Sequence, residues 1–253
     1  MYGCTLFYTH ICVLPLCCFV RRLFAVFAYD NTWVLTAESE CVWHGKVDFG
    51  FLCGICNKEI NTYLCKNCEK EINKITCVGE NKYSNKNFST HMYLFKYEGI
   101  IRSKIISYKF DDKPYLYKSF CEIFVKNKKV CEFLKNYDII ISVPMYKKKK
   151  NQRGYNQSEL IAREIAKKVK NIEYRSDILL KIKNTANQSL LNKEQRQENL
   201  KNAYEVKNKE YISNKNILIF DDIYTTGSTA NECSKMLVEA GARSIGILTI
   251  AKD

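Results

Sequence analysis

The segment 216–229 constrains the fold more than any other part of the chain. Its first residues, Asn216–Phe220, form a short apolar run that predicts a buried strand. Two carboxylates, Asp221 and Asp222, follow, and a turn rich in Thr, Ser and Gly then leads into a helical pattern. Because the first N–H groups of a helix have no partner within the helix, this order of elements predicts an anion site. The alternative is an ordinary strand, turn and helix with an acidic corner and no ligand.

The turn and the acids predict two adjoining half-sites. The backbone N–H groups and hydroxyls of the turn suit a phosphate monoester, and the helix dipole favours negative charge there. Asp221 and Asp222 suit the vicinal hydroxyls of a sugar, and they can help to hold Mg²⁺ indirectly. The combination favours a 5-phosphorylated ribose over a nucleoside triphosphate, whose G-x-x-x-x-G-K-[ST] loop does not occur in the sequence. The residues predicted to hold the phosphate are Thr225, Thr226, Gly227, Ser228 and Thr229.

Residues 91–253 are predicted to form an α/β domain. Apolar runs and helical patterns alternate along this part of the chain, which favours a parallel sheet flanked by helices. Asn156 is predicted to cap a helix, with Glu159 at the capping-box position. Strands are predicted at residues 91–97, 138–143, 216–220 and 244–250, and helices at residues 99–110, 115–133, 158–170 and 228–240.

Two C-x-x-C pairs predict a small metal-binding module over residues 47–85. Eight residues separate the pairs, and two such turns can bring four thiolates around one tetrahedral Zn²⁺. Four thiolates leave no open position on the metal, so the zinc is predicted to be structural. Coincidence in a cysteine-rich chain and a redox dithiol are the alternatives. The predicted ligands are Cys53, Cys56, Cys65 and Cys68.

The other cysteines favour a reducing cytoplasm over a secreted protein stapled by disulfides. The chain has 13 cysteines, but it is too long and they are too unevenly placed for a disulfide scaffold. Cys77 is predicted to be a lone buried thiol, with the remnant of a second metal site as the alternative. Residues 79–90, rich in Asn, Lys and Ser, are predicted to link the metal module to the α/β domain.

Residues 1–46 differ from the rest of the chain. Residues 2–20 carry no Lys, Arg, Asp or Glu and precede Arg21 and Arg22, and both Trp residues fall within the first 46 positions. Three interpretations stand: a misassigned start, a membrane anchor, and an ordinary buried extension. The predicted location is therefore cytoplasmic, with membrane association only if this segment is genuine.

The charge of the chain favours anionic partners. The formal net charge is +13, and the whole excess lies in residues 47–253 because the charges of the first 46 residues cancel. Such a surface suits phosphorylated metabolites, nucleic acid or an acidic membrane face. Base bias of the genome is the alternative source of the many lysines.

Residues 217–229 resemble the phosphoribosyl pyrophosphate signature of type I phosphoribosyltransferases. Further motifs are similar to the ComF family of competence-associated proteins, which also carry an N-terminal zinc ribbon, and the resemblance covers residues 53–253. The sequence departs from that family in having one set of four cysteines and in Tyr155, where Phe is usual. The motifs are Phe95–Gly99 with Lys109 and Phe110, Val143–Met145, Arg153–Gln157, and Thr185, Gln188, Leu191, Arg196 and Asn199.

The resemblance implies roles for several residues. Asp221, Asp222 and Arg153 become the expected catalytic residues, and Val143, Pro144 and Met145 are expected to place backbone groups around the leaving diphosphate. Lys147 and its neighbours up to Lys150 are expected to neutralise that diphosphate, with a solvated basic loop as the alternative. Thr185, Gln188 and Arg196 are expected in a lid, or else in a surface helix over residues 192–203.

Two functions follow as hypotheses. The first is an enzyme that binds phosphoribosyl pyrophosphate with Mg²⁺ and transfers ribose 5-phosphate to a nucleophile, in the context of DNA uptake. The second is a non-catalytic scaffold of the uptake machinery that binds single-stranded DNA or a helicase-like competence ATPase.

Overall fold

A six-stranded sheet organises the C-terminal part of the chain in the computed structural model, which describes residues 25–29, 32–36, 66–111, 114–185, 195 and 199–253. The strands of this sheet are β3 (Gly79–Lys82), β4 (Thr90–Lys96), β5 (Ile139–Ser142), β6 (Glu173–Tyr174), β9 (Asn216–Tyr224) and β10 (Ser244–Lys252). Their order is β3-β4-β10-β9-β5-β6, and only β3 runs antiparallel to its neighbour. The predicted parallel sheet is therefore confirmed.

Helices cover both faces of the sheet. They are α1 (Lys66–Ile75), α2 (Gly99–Phe110), α3 (Leu116–Lys126), α4 (Lys128–Leu134), α5 (Lys147–Arg153), α6 (Gln157–Lys168) and α7 (Ser228–Glu239). The central strand β9 serves two cores: Leu218 and Phe220 pack with α2, α3 and α6, while Ile217 and Ile219 pack with α7. A strand buried on both faces must be apolar throughout, which is the pattern of residues 217–220.

Two further pairs of antiparallel strands are separate from this sheet. Strands β7 (Leu179–Lys181) and β8 (Tyr204–Val206) pair antiparallel, and β8 contacts α7 on the second face. Strands β1 (Ala25–Tyr29) and β2 (Thr32–Thr36) pair antiparallel in a separate unit, residues 1–38. In the described residues no helix is both long and apolar enough to cross a membrane.

The connections of the sheet change direction between β5 and β9. The chain leaves β5 and forms α6 over one face, whereas it leaves β9 and forms α7 over the other. The two strands are parallel neighbours, with Ser142 opposite Phe220. Loops that diverge in this way open a crevice beyond the carboxyl ends of the strands, which is where ligands bind in open α/β sheets. The predicted phosphate turn and the loop at residues 143–145 both start at this crevice.

Several predicted elements have different bounds in the structure. The single helix predicted over residues 115–133 is two helices, because the Asn127 side chain accepts a hydrogen bond from the Val130 N–H and caps α4. The basic loop considered at Lys147–Lys150 is instead the start of α5. The strand predicted to end at Phe220 continues to Tyr224, because β10 pairs with it along its whole length.

The linker predicted for residues 79–90 is part of the sheet at its start. Gly79–Lys82 pairs with β4, and the Tyr93 ring occupies the space that a side chain at Gly79 would need. Cys77, predicted to be buried, is exposed, and its N–H donates to the Leu94 carbonyl at 2.9 Å. It lies at the surface because it stands between α1 and the edge strand β3.

Candidate functional site

Asp221 and Asp222 lie near the carboxyl end of β9 and have different partners. Asp222 Oδ2 is 2.5 Å from Lys109 Nζ, which comes from the last turn of α2. Asp221 Oδ1 accepts from the Asp222 N–H at 2.9 Å and from Ser158 Oγ at 3.3 Å. One acid is therefore paired with a cation, while the other is held by neutral donors.

This difference sets the ionisation of the pair. Burial and the neighbouring charge of Asp222 raise the pKa of Asp221 to about 8. Burial also acts against the charge of Asp222, but the Lys109 ammonium outweighs it, so the pKa of Asp222 is lowered. Burial acts against the charge of Lys109 too, and Asp222 outweighs it, so the pKa of Lys109 is raised. Asp221 is therefore the acid of the two that holds its proton more readily, beside the ion pair of Asp222 and Lys109.

The turn after β9 leads into the N-terminus of α7, as predicted from the sequence. Gly227 has φ +75°, a left-handed conformation, and it immediately precedes the first residue of α7. Thr226 Oγ1 and Ser228 Oγ lie 2.8 Å apart, and the Ser228 N–H points to Thr226 Oγ1 at 3.4 Å. Thr225 is exposed and Thr229 is half-buried at the start of the helix. The structure thus brings all five predicted phosphate-binding residues into one turn at a helix N-terminus.

An aromatic stack supports this turn from below. The Tyr224 ring occupies the space that a side chain at Gly227 would need. It stacks on His91, with ring centroids 4.1 Å apart. His91 is buried, its Nε2 lies 2.8 Å from Thr249 Oγ1, and burial followed by the charge of Lys252 lowers its pKa to about 3. The imidazole is therefore neutral, and the turn packs against two uncharged, stacked rings.

The loop after β5 lies beside the acids, but the backbone groups of one of its residues already have hydrogen-bond partners within the fold. The Val143 N–H donates to the Phe220 carbonyl at 2.9 Å, and the Val143 carbonyl accepts from Asn156 Nδ2 at 3.0 Å. Val143 therefore fixes the loop and does not offer its N–H to a diphosphate, which corrects the predicted role. Pro144 has no N–H, so Met145 is the residue of this loop whose amide can face a ligand.

The basic residues of α5 divide into two groups. Lys149 Nζ donates to the Thr185 carbonyl at 2.9 Å, and Lys150 Nζ is 2.6 Å from Glu159 Oε2. Glu159 also pairs with Arg163, so its carboxylate is used here and not in the predicted capping box. Lys147 and Lys148 are exposed. Of the predicted basic run, these two remain directed to solvent.

Arg153 contacts the end of α2 and the start of α6. Arg153 Nη1 donates to Gln157 Oε1 at 2.7 Å, and the guanidinium carbon lies 5.2 Å from the centre of the Phe110 ring. Asn156 caps α6 as predicted, by accepting from the Ser158 N–H. Arg153 reaches none of the acids directly, so its predicted catalytic role stays a prediction.

Three side chains of the site were given no role from the sequence. Lys109, which belongs to one of the ComF-like motifs, and Ser158 contact the acids from helices distant in sequence, so local patterns assign a role to neither of them. Lys181, on β7, is half-buried. Burial lowers its pKa, the charge of Lys149 adds to this, and Asp221 acts in the opposite sense. Lys181 is therefore a second cation within electrostatic reach of Asp221, and its Nζ lies 5.4 Å from the centre of the Tyr204 ring.

The metal predictions fall on different parts of the chain. Cys53, Cys56 and Cys65 lie outside the described residues, and of Cys68 only the backbone is described, at the start of α1. Within the described ranges no three His, Cys, Asp or Glu side chains cluster as a metal site. The acids at the end of β9 suit Mg²⁺ only as indirect partners, since Lys109 holds one of them. Gln188 and Arg196 of the predicted lid, and Leu191 of the ComF-like motifs, also lie outside the described residues.

The strand order, with the paired acids and the Gly227 turn at the switch point, gives an α/β domain whose mostly parallel sheet is flanked by helices, which is the fold class that the resemblance to type I phosphoribosyltransferases implies. The chain is 33% identical over 129 residues to Competence protein F of Haemophilus influenzae, a match that covers 51% of this chain and 56% of that protein. The chain is thus similar to competence proteins, which is the resemblance that its motifs predict.

Two further relatives agree with this assignment. The DNA utilization protein YhgH of Escherichia coli is 30% identical over 115 residues, which cover 46% of this chain and 49% of that protein. Competence protein ComFC of Streptococcus pneumoniae is 29% identical over 163 residues, covering 64% and 68%. The match spans about half the length of the first two relatives. No protein-family model matches the chain.

Solved structures resemble the chain more loosely. Glutamine phosphoribosylpyrophosphate amidotransferase from B. subtilis has a TM-score of 0.36 at 17% identity, covering 54% of this chain and 26% of that one. A hypoxanthine phosphoribosyltransferase from Staphylococcus aureus has a TM-score of 0.32 at 14% identity, covering 55% and 65%. Both TM-scores are below 0.5. The fold class therefore rests on the strand order of this chain and not on these two structures.

Proposed function

We propose that this protein binds phosphoribosyl pyrophosphate together with Mg²⁺ and transfers its ribose 5-phosphate to a nucleophile. One observation carries the proposal: a left-handed Gly227 turn at a helix N-terminus lies directly after two acids of unequal charge. The turn suits the 5-phosphate, and the acids suit the two ring hydroxyls. The homology to competence proteins supports a role of this activity in DNA uptake.

The residues divide the work along the crevice. Asp222, ionised beside Lys109, accepts from a ribose hydroxyl and stabilises the positive ribose of the transition state, while neutral Asp221 can donate to the other hydroxyl. The Met145 amide, Lys181 and Arg153 face the leaving diphosphate. The bond from the ribose C1 to the diphosphate oxygen breaks, the diphosphate leaves with the electron pair, and the nucleophile bonds to C1 and gives its proton to solvent. Bound Mg²⁺ would supply charge neutralisation on the diphosphate.

A titration with phosphoribosyl pyrophosphate, with and without Mg²⁺, tests binding. We expect saturable binding that Mg²⁺ strengthens, and a loss of about tenfold or more for Asp222→Asn. Glu132→Gln, which removes an exposed carboxylate paired with Lys135, is the matched control and leaves binding unchanged. Release of diphosphate with free bases or ammonia then measures transfer. Absence of binding by the wild-type chain overturns the proposal.

A second candidate function is non-catalytic binding of single-stranded DNA or of a helicase-like ATPase. The exposed Lys147 and Lys148 on α5 favour it, because cations beside the crevice can contact a phosphate backbone. Affinity for an oligonucleotide should then fall with salt, and Lys147→Gln with Lys148→Gln should reduce that slope by about two. Lys128→Gln with Lys129→Gln, exposed lysines at the start of α4, is the control with the same change of charge. Binding of phosphoribosyl pyrophosphate without any diphosphate release would favour this scaffold.

A further inference from the structure

Strand β3 is an edge of the six-stranded sheet, and no described strand pairs with its outer side. The Tyr83 N–H donates to the Ser89 carbonyl at 2.8 Å, in register with the antiparallel pairing of β3 and β4. In an antiparallel pair, the N–H and C=O groups of alternate residues point to the same neighbouring strand. The backbone groups of Glu80 and Lys82 therefore point away from β4, where the backbone of another strand can pair with them.

Two opposite charges stand on this edge. The side chains of Glu80 and Lys82 are exposed, and both lie on the same face of the sheet because they are two positions apart in a strand. Neither belongs to an ion pair among the described residues, whereas the exposed Glu132 and Glu173 are each paired with a cation. Lysine alone on an edge strand opposes pairing between molecules by charge repulsion. The acid beside it changes that outcome.

The order of the two charges makes this edge complementary to itself. When two copies pair antiparallel about a twofold axis at Asn81, Glu80 of each copy lies opposite Lys82 of the other. A register shifted by two residues instead places Lys82 opposite Lys82, or Glu80 opposite Glu80, and like charges in such positions are unfavourable. The charges therefore select one register, and they select a second copy of this chain as the partner.

The other face of the edge adds aromatic contact in the same register. The Tyr93 ring occupies the space that a side chain at Gly79 would need, and Tyr93 is half-buried. In the register centred on Asn81, Tyr83 of the other copy lies opposite Gly79, on the face that carries Tyr93. Tyr83 is also half-buried in one copy alone. Each copy thus brings a partly exposed ring next to a partly exposed ring of its partner.

We propose that this protein forms a homodimer in which β3 pairs antiparallel with β3 of a second copy about Asn81, so that two sheets join into one. The contact is short, so the dimer is weak, with a dissociation constant on the order of 10 μM. Strands β4 and β10 separate β3 from β9. The interface is therefore distinct from the residues proposed to bind phosphoribosyl pyrophosphate, and it does not depend on the proposed function.

Charge reversal provides the test, with sedimentation equilibrium of the full chain as the measurement. Glu80→Lys and Lys82→Glu each leave charges of one sign on the edge, so each variant alone should self-associate at least about tenfold more weakly than wild type. The two variants are complementary to each other, because every reversed charge then meets its opposite. Mixed in equal amounts, they should form a heterodimer whose affinity is within about threefold of that of the wild-type dimer. This recovery also shows that both variants are folded.

Glu132→Lys and Lys135→Glu are the matched controls, since they make the same changes of charge in an exposed ion pair on α4. Both should dimerise as wild type does. A wild-type chain that stays monomeric up to about 1 mM overturns the inference and shows that the outer side of β3 does not accept a second copy. A wild-type dimer that neither reversal at β3 weakens also overturns it, because such a dimer uses another surface. Failure to bind phosphoribosyl pyrophosphate, measured separately, would overturn only the proposed function.

Discussion

Lys109 Nζ lies 2.5 Å from Asp222 Oδ2 and joins the last turn of α2 to the central strand of the sheet. Both side chains are mostly shielded, with 22% and 13% of their surfaces exposed. The cation neutralises one of two adjacent acids, so the pair can stay at the end of β9 without mutual repulsion. This contact is therefore expected to affect both the stability of the fold and the acids proposed to bind the ribose.

Lys109→Met should therefore destabilise the protein by about 2 kcal/mol at pH 7, less than for a fully buried pair because part of the pair is exposed. The lowered pKa of Asp222 gives stability that is present above the ordinary Asp pKa of about 4 and is lost as pH falls through the lowered value. The raised pKa of Lys109 gives stability that is lost only above about pH 10. The difference in the free energy of unfolding between wild type and Lys109→Met should thus have its full value between about pH 4 and 10. Urea unfolding at pH 3.5 and pH 7 measures it.

Lys135→Met is the control for this prediction. Lys135 pairs with Glu132 at 2.7 Å, but their side chains are 65% and 71% exposed. An exposed pair of this kind contributes about 0.5 kcal/mol or less. Equal losses for the two variants at pH 7 would contradict a special role of the Lys109 contact.

Asp221→Asn should remove a pH dependence of stability. The pKa of Asp221 is raised to about 8, so the folded state keeps a proton that the unfolded chain releases, and stability falls as pH rises from about 4 to about 8. The variant lacks this slope. Its free energy of unfolding, relative to that of wild type, should therefore be roughly 1–3 kcal/mol higher at pH 8 than at pH 5. Unfolding in urea at pH 5, 6.5 and 8 gives the slope. Asp177→Asn, where Arg175 lowers the pKa of the carboxyl, should keep the wild-type slope in this range.

Gly227→Ala should cost more than Gly154→Ala, although both glycines are left-handed. Gly154 has φ +84° and open space where a side chain would lie, so its substitution meets only backbone strain of about 1 kcal/mol. A side chain at Gly227 would overlap the Tyr224 hydroxyl, and displacing that ring adds about 1–3 kcal/mol. Thermal unfolding compares the two variants. Only Gly227→Ala should also abolish binding of ribose 5-phosphate, and equal behaviour of the two would show that the turn does not depend on this packing.

Asn156 makes two hydrogen bonds with different roles: its Oδ1 caps the start of α6, and its Nδ2 holds the loop after β5. Because different atoms make these bonds, different substitutions can separate the two roles. Ser is an equally good helix cap but is too short to reach the Val143 carbonyl. Asn156→Ala should cost about 2 kcal/mol and Asn156→Ser about 1 kcal/mol. Both should weaken binding of phosphoribosyl pyrophosphate, because Met145 then loses its fixed position. Calorimetry and urea unfolding measure these effects; wild-type affinity in Asn156→Ser would contradict the link to Val143.

The predicted zinc is tested by metal content. Elemental analysis of protein purified without chelator should give one Zn²⁺ per chain, and Cys53→Ser or Cys65→Ser should lose it. Cys77→Ser is the control, since the exposed Cys77 stands outside the two C-x-x-C pairs, and it should retain the metal. A wild-type chain free of zinc would contradict the prediction.

Sequence patterns predicted the parts of the fold in which local signals and tertiary packing agree. Gly99–Phe110 has the predicted bounds, and the turn at Gly227 lies where the pattern placed it. Other parts depend on partners distant in sequence. The apolar stripe of α3 runs on into α4, so the break at Asn127 was not visible, and α5 is short and polar with no apolar period to detect.

The same limit applies to the site. Asp221, Asp222 and the turn are contiguous and could be found from one string. Lys109 comes from α2 and Lys181 from β7, and only the tertiary packing brings these elements near the end of β9. The hydrogen bonds of Val143 with Phe220 and Asn156 likewise depend on the tertiary fold, which residue types alone do not reveal.

The stack of Tyr224 on His91 means that the turn above it acquires its shape when the chain folds, before any ligand arrives. An incoming phosphate then loses little affinity to the ordering of this segment. Substitutions at the acids or at Lys109 are therefore expected to change the residence time of phosphoribosyl pyrophosphate while the turn keeps its shape.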